Sequence, residues 1–472
     1  MAKESASPLP ERPLPPKPAA RTAQVSLRGY LRLFREDILS AQPARLYRAW
    51  MAEFRTPFFR SFLVNQPDLV RRVLIERPRD FPKSRRVREG LAPLLGRGVF
   101  LSNGAEWERQ RRIIDPAFEG GRLRQTFPAM VDAAEAAVAR IGAKAGAERA
   151  AETVEIEAEA SFAAADVIFR TLFSVPIEDE IAAAVFREFR TYQRRQPLVN
   201  LAALVPWPRW LPRPHRRDVA RSAAAIRGLI GQLVARRQAE IAAGTAPDDL
   251  ATKIMTTADP ETGLRFETEE MIDQVAIFFL AGHETSASTL GWALYLLARY
   301  PEAQARAAEE AAGLPDRPAF SDLSKLPYTR DVFRETLRLY PPVPMMVREA
   351  ARRTRFRDRA VAKGAQIVLS PWHLHRHERL WRTPDAFAPE RWATADGRIS
   401  AREAYIPFSA GPRVCTGAGF AMAEGTLLLA MLVRAFRLVP GAGPAPVPVA
   451  HLTLRARDGI RLQLIPRTEQ IP

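Results

Sequence analysis

The ten residues FSAGPRVCTG, Phe408 to Gly417, decide how the other 462 are read, because they hold the only cysteine of a 472-residue chain. One cysteine excludes an intramolecular disulfide and any zinc site built from several thiolates, so nothing argues for an oxidising compartment. A lone buried cysteine is commonly an inert small hydrophobe. This one follows Arg413 by two residues and stands among Gly411, Gly417 and Gly419, which allow close backbone approach to a bulky flat object and positive φ. Pro412 stiffens the loop. The apolar run FAMAEGTLLLAMLVRAF that follows reads as a helix, so Cys415 lies just ahead of a helix N-terminus, where the dipole and Arg413 both favour thiolate. A thiolate on a rigid glycine loop is a nucleophile or a metal ligand. No Gly-Lys-Ser/Thr follows, which excludes a phosphate-binding loop.

A cysteine nucleophile wants a histidine base, and there are six candidates: His215, His283, His373, His375, His377 and His451. His283-Glu284 begins like a zinc-protease helix, but Ala287 stands where the second histidine belongs. The run HLHRH, His373 to His377, lacks carboxylate support for a metal and reads as a surface segment. The remaining chemistry is haem iron held by a thiolate, a ligand that pushes electron density onto iron and promotes O–O cleavage.

Around this loop the chain reads mainly α with a minor β part. EIEAEASFAAADVIFRTLF and SAAAIRGLIGQLVARRQAEIAAG carry apolar residues at three- and four-residue spacing. A further helix is expected from about Thr268 to the residue before Pro301, with Glu269 and Glu270 in its first turn. Its apolar runs flank a polar notch, His283-Glu284-Thr285-Ser286, which suits a buried functional helix better than a membrane span. PFFRSFLV and KGAQIVLS read as short strands, and HLTLRARDGIRLQLI as a hairpin about Asp458-Gly459. Residues 1–25, rich in Pro, Ala and Arg, are expected to be a disordered tail. Residues 26–472, with no linker or repeat, are expected to form one domain.

Composition is globular, with 47% hydrophobic and 26% charged residues. The net charge of +17 invites a nucleic-acid reading, but the arginines are spread along the whole chain with no basic tail or binding motif. No nucleic-acid partner is expected. Lysine supplies only seven of the 70 basic residues, more like a base-composition bias than a phosphate-binding design. An acidic protein or an anionic membrane surface is the better use of that field. No signal peptide or anchor is visible near the N-terminus, so the default expectation is cytoplasmic.

FSAGPRVCTG resembles the cysteine signature of the cytochrome P-450 (haem-thiolate monooxygenase) family, and further motifs of that family appear in its order. They are WERQR, AGHETSAS, ETLR with Glu335 and Arg338, and FAPERW with Phe387, Pro389, Glu390, Arg391 and Trp392. The resemblance spans essentially everything after the tail. It implies haem b (iron protoporphyrin IX) with Cys415 as axial metal ligand and Phe408 beside the sulfur, within a loop that includes Gly417. It implies that Trp107, Arg111, Arg348 and Arg413 meet the haem propionates, which guanidinium forks suit. Glu335, Arg338 and Arg391 would form a buried structural triad. Thr285 and Glu284 would deliver protons. Ala281, Met345, Met346 and Val347 would line a pocket for a hydrophobic small molecule.

The implied activity is insertion of one atom of dioxygen into that substrate. The alternative from another class is a haem-based gas sensor or electron carrier without turnover. With 57 residues after Cys415, no flavin or nicotinamide domain is expected in the chain. Electrons would come from a separate acidic ferredoxin or flavodoxin with its reductase, docking near Arg109, Arg112, Arg330 and Arg334. The stretch LVNLAALVPWPRWLPRPHRR, with Trp207 and Trp210 among Arg209, Arg213, Arg216 and Arg217, suggests peripheral contact at the inner membrane surface.

Overall fold

In the computed structural model, which describes residues 13–467 apart from 24, 56–58, 120, 148–152, 196–216 and 451–452, the notch-bearing segment is one unbroken helix, Thr268–Arg299. At the standard rise its 32 residues span about 48 Å. Its start is fixed by Glu270, whose carboxylate accepts from the Glu267 N–H at 3.1 Å. Its end is fixed by Pro301, which opens the next helix, Pro301–Ala312. From Met271 to Ala298 nearly every side chain is buried, against helices Ile156–Phe173, Arg217–Ala243, Pro327–Leu339 and Ala418–Ala435. Glycine makes one of those contacts possible: a Cβ at Gly282 would stand 2.5 Å from Ile168 Cδ1.

The β part flanks this helical core. One sheet runs in the order Met51–Arg55, Arg60–Val64, Gln366–Leu369, Met346–Glu349, with the middle pair parallel. A second sheet joins Val154–Glu155, Arg461–Pro466 and Phe436–Pro440, all antiparallel.

Three sequence expectations are corrected here. The turn at Asp458-Gly459 forms, with Gly459 at φ +76°, but its arms do not pair with each other. Leu454–Ala456 pairs with Pro448–Ala450, while Arg461–Pro466 joins the second sheet, where the Ile156 N–H donates to Ile460 O at 2.8 Å. Second, residues 13–23 of the presumed disordered tail lie on the protein, with Pro15 and Pro18 buried. Extended proline-rich backbone leaves its carbonyls free for outside donors. The Tyr340 hydroxyl donates to Pro16 O at 2.8 Å, the Tyr300 hydroxyl donates to Pro13 O, and Lys17 pairs with Asp385 at 2.6 Å. Third, HLHRH is not a surface segment. It follows strand Gln366–Leu369 into the interior, where His373 meets Ser370 Oγ at 2.8 Å and His375 Nε2 accepts from the Ile406 N–H at 2.9 Å. Burial pushes both imidazoles down to about 3, so they are neutral structural groups. The expected membrane-contact stretch lies, but for Arg217, outside the described residues, as do His215 and His451.

Candidate active site

The cysteine loop is held on two sides. Gly411 adopts φ +67°, and a Cβ there would stand 2.1 Å from Leu74 O, so only glycine lets the loop nest on the turn Arg72–Glu76. The Cys415 N–H donates to Phe408 O at 2.9 Å, closing the loop just before helix Ala418–Ala435. Gly417 has an ordinary φ of −85°, so its expected positive φ is not seen; a Cβ there would meet nothing within 4 Å.

Cys415 is exposed at its surface yet closely surrounded by protein atoms, and that desolvation pushes its thiol up. The Gly417 N–H, Arg111 and Lys83 pull the other way and do not outweigh it. Arg413, expected to favour the thiolate, is turned elsewhere. It donates to Ser102 O at 3.0 Å and Asn103 Oδ1 at 2.9 Å, and lies 4.1 Å over the Trp107 ring.

Around the loop four cations converge. Arg111 is tied to Asp115 at 2.7 Å and to Val414 O at 2.9 Å. Arg348 is 4% exposed and has no side-chain hydrogen bond among the described residues. Lys83, which the sequence reading missed, forms a backbone bridge to Arg348 and sets its ammonium 3.8 Å over Phe100. Burial pushes Arg348 down to about 10; burial and then its fellow cations push Arg413 to about 9 and Lys83 well below its usual range. Buried like charges with so little compensation are costly. A ligand with two carboxylates relieves that cost, and the donor set therefore fits the two propionates of haem beside a thiol ligand.

The notch residues part company. Successive side chains on a helix turn by about 100°, and His283 to Ser286 each find a different partner. His283 sits between Phe279 and the Ser161 hydroxyl, 2.7 Å away, and burial pushes it down to about 4, so it is neutral. Glu284 is buried and ion-paired with Arg455, whose Nε is 3.1 Å away, and it accepts from Thr453. The Thr285 hydroxyl donates to Ala281 O at 2.5 Å. The Ser286 hydroxyl donates to Glu424 Oε2 at 3.1 Å. Ala281 is exposed midway along a helix that is otherwise buried, so that helix borders an interior surface there.

Among the expected pocket residues, Met346 shares a strand face with Arg348, and the pleat turns Val347 to the other face. Met345 packs on the helical core and Met346 on the sheet core. The three therefore do not line a single wall.

Glu335, Arg338 and Arg391 do come together, fully or nearly buried. Arg338 forks onto the carboxylate at 2.8 and 2.9 Å, Arg391 Nε reaches it at 2.9 Å, and the Ala388 N–H adds a fourth bond at 3.1 Å. The remaining guanidinium donors meet backbone carbonyls of His375, Pro384, Ala386 and Arg382. Burial alone would raise Glu335, but the two guanidiniums more than offset it and hold it below the usual carboxylate range.

The arginines expected on a docking face are largely engaged internally. Arg109 forks onto Glu270 at 2.6 and 3.0 Å, and Arg112 onto Asp259 at 2.5 and 3.1 Å. Arg334 pairs with Asp331 and lies 4.2 Å over Trp392, whereas Arg330 is exposed.

Comparison with known proteins agrees with this geometry. The cytochrome P450 family model matches residues 51–463. The chain is 33% identical over 402 residues to cyclooctat-9-en-7-ol 5-monooxygenase of Streptomyces melanosporofaciens, covering 83% of each chain. It is 29% identical to cytokinin hydroxylase of Arabidopsis thaliana over 89% of this chain and 83% of that one. It is 30% identical to cytochrome P450 4A12B of Mus musculus, over 85% and 80%.

Proposed function

The chain belongs to the cytochrome P450 family, a haem-dependent monooxygenase that takes electrons from a redox partner and acts on hydrophobic substrates, and on that premise we propose which of its residues do the work. Cys415, the single sulfur-bearing thiol, supplies the thiolate. Lys83, Arg111, Arg348 and Arg413, with Trp107, receive the propionates. The observation that carries this reading is the convergence of four cations about one thiol with, among the described residues, a single carboxylate, Asp115, hydrogen-bonded to them.

When bound, the haem activates dioxygen with two electrons and two protons, so that one oxygen atom enters a substrate C–H bond and the other leaves as water. The chain's own task is to deliver protons and exclude bulk water. Thr285 offers a hydroxyl whose lone pairs are free to accept while its proton is held by Ala281 O. Glu284 is the carboxylate nearest in sequence, and it moves a proton when its pairing with Arg455 opens. Of the pocket residues expected from the sequence, Ala281, exposed midway along the central helix, is the one assigned to an apolar pocket. The relatives' names support the reaction class and no single substrate. The test is spectroscopic. The reduced carbon monoxide complex should show the far-red Soret band of thiolate ligation, and apolar compounds should shift the ferric band. A histidine-like spectrum overturns the assignment of Cys415.

The redox partner we infer is an acidic ferredoxin or flavodoxin, served by its own reductase. Support comes from the net charge of +17 and from Val414 of the cysteine loop and Ile75 beside it, which are 39% and 49% exposed. Arg330, exposed and without an ion pair among the described residues, is the cation to test in place of Arg109 and Arg112. Charge reversal there should slow reduction in stopped-flow, most at low salt, since the Debye length is about 8 Å at 0.15 M. The proposed site of action is the cytoplasm, with Trp207 and Trp210 touching the inner membrane surface. Co-sedimentation with anionic vesicles should fall when both become alanine.

A further inference from the structure

The proline-rich tail that lies on the protein repeats every three residues. Pro15 and Pro18 are buried, while Pro13, Leu14 and Lys17 are exposed. The carbonyls that the protein holds are Pro13 O, taken by the Tyr300 hydroxyl, and Pro16 O, taken by the Tyr340 hydroxyl at 2.8 Å, again three apart. Among the described residues, none from 13 to 20 takes part in a backbone–backbone hydrogen bond. A polyproline II helix has three residues per turn and no internal hydrogen bonds, so one of its faces repeats at i and i+3. A paired strand would instead bury alternate residues.

The surface beneath is held in place by the protein's own packing. The Tyr340 ring stacks on Trp292 of the central helix, with centroids 4.1 Å apart and planes at 11°, and Tyr300 packs on Phe387 at 4.9 Å. Tyr47 accepts from Trp372 Nε1 at 2.8 Å, and its ring lies 4.5 Å from the Lys17 ammonium. Asp385 supplies the opposite charge, 2.6 Å from Lys17. Rings fixed by their neighbours lose little entropy on meeting a stiff ligand. Vacating the seat leaves no orphan charge, because Arg376 stands 3.4 Å from the other oxygen of Asp385.

We propose that Tyr47, Tyr300, Tyr340 and Asp385 form a receptor for a polyproline II segment of the form Pro-x-x-Pro with a cation before the second proline. Residues 13–18 are its resident ligand, held in cis and exchangeable for a segment of the same form on another protein. Aromatic rings against the prolines, donors to their carbonyls and an acid for the neighbouring cation make up a recognition set for such segments. The tail is tethered at Arg21, whose N–H donates to Gln42 O at 3.2 Å and whose guanidinium donates to Ala41 O at 2.7 Å. A tether this short gives the resident an effective concentration on the order of millimolar, which an outside segment has to overcome. None of this depends on haem chemistry.

The test uses the full-length holoprotein and a fluorescent peptide of residues 11–23, ERPLPPKPAARTA. Lys17→Glu sets the resident tail against Asp385 and vacates the groove. That variant should bind the peptide about tenfold more tightly than wild type by fluorescence anisotropy, because its own tail no longer competes. Adding Tyr300→Phe and Tyr340→Phe, which remove both carbonyl donors, should abolish binding while the spectrum of the bound haem stays that of wild type. A peptide carrying Pro15→Ala and Pro18→Ala should not bind. In wild type, acetylation of Lys17 should be several-fold slower than that of the exposed Lys363, and excess peptide should speed it. Equal peptide binding by wild type and Lys17→Glu overturns the proposal, as does an alanine-substituted peptide that binds as well as the native one. A wild-type dimer that Tyr300→Phe with Tyr340→Phe dissolves would seat the tail on a second copy and overturn the assignment in cis.

Discussion

Two clusters of buried arginine in this protein look alike in sequence and differ in kind. About Glu335, every donor of Arg338 and Arg391 that faces inward has an acceptor, and the carboxylate accepts four hydrogen bonds from three residues. About Cys415, Arg348 and Lys83 have no such complement, and Arg413 is held by one carbonyl and one amide. The first cluster is complete in the polypeptide alone. The second is complete only with something that brings negative charge. Satisfied charge marks architecture, and unsatisfied charge marks a binding site.

The sharpest break in the comparison is Cys415→Ala. It should remove all monooxygenase activity and any thiolate signature in the reduced carbon monoxide spectrum, while the Glu335 cluster stays intact. Glu335→Ala should act on the other side. Leaving two guanidiniums buried without their carboxylate costs about 3–5 kcal/mol, and soluble yield and chemical denaturation should register it with or without haem. A cost under 1 kcal/mol would place the cluster with ordinary surface pairs. Opposite signs are expected for a cation. Arg338→Leu should destabilise the protein strongly. Arg348→Leu should leave the haem-free protein as stable or more stable by about 1 kcal/mol, because it removes a buried, unpaired charge. The same variant should lose haem faster to an apo-globin acceptor.

A gentler probe is pH. His283, His373 and His375 are held neutral, with pKa values of about 4, 3 and 3 against 6.5 unfolded. Their folded values are depressed, so the neutral imidazoles stabilise the fold fully above pH 6.5 and lose that contribution as pH falls toward 3. Three protons taken up on unfolding give a slope of about 4 kcal/mol per pH unit near pH 5. Denaturant midpoints measured from pH 7 to 5 should fall accordingly, and less steeply in His373→Gln.

Much of this was legible in the sequence, for a reason that also explains the rest. Glu335 and Arg338 are one helical turn apart, Cys415 sits in a short loop, and the helix Thr268–Arg299 advertises its start and stop locally. Lys83, Thr453, Arg455 and Glu424 gain their meaning from residues more than a hundred positions away, and no spacing encodes that. The Asp458-Gly459 turn shows the same division: the local bend is as the sequence says, but which strands accept its two arms is decided by Glu155 and the second sheet. HLHRH misled because polar runs resemble surface; its burial follows from the strand that delivers it.

The tether on Glu284 has a consequence for how the enzyme is made. Thr453 and Arg455 follow their partner by 169 and 171 residues, near the last strand of the chain. At ribosomal rates of about 5–20 residues per second, the central helix exists for roughly ten to thirty seconds before the groups that set its acid emerge. Cys415 precedes Thr453 by 38 residues, so haem that arrived in the last part of that interval, about two to eight seconds, would meet the cysteine loop with the proton route still unbridled. A nascent enzyme loaded early would be prone to leak its electrons to peroxide, and chains stopped short of residue 453 would keep that fault for life.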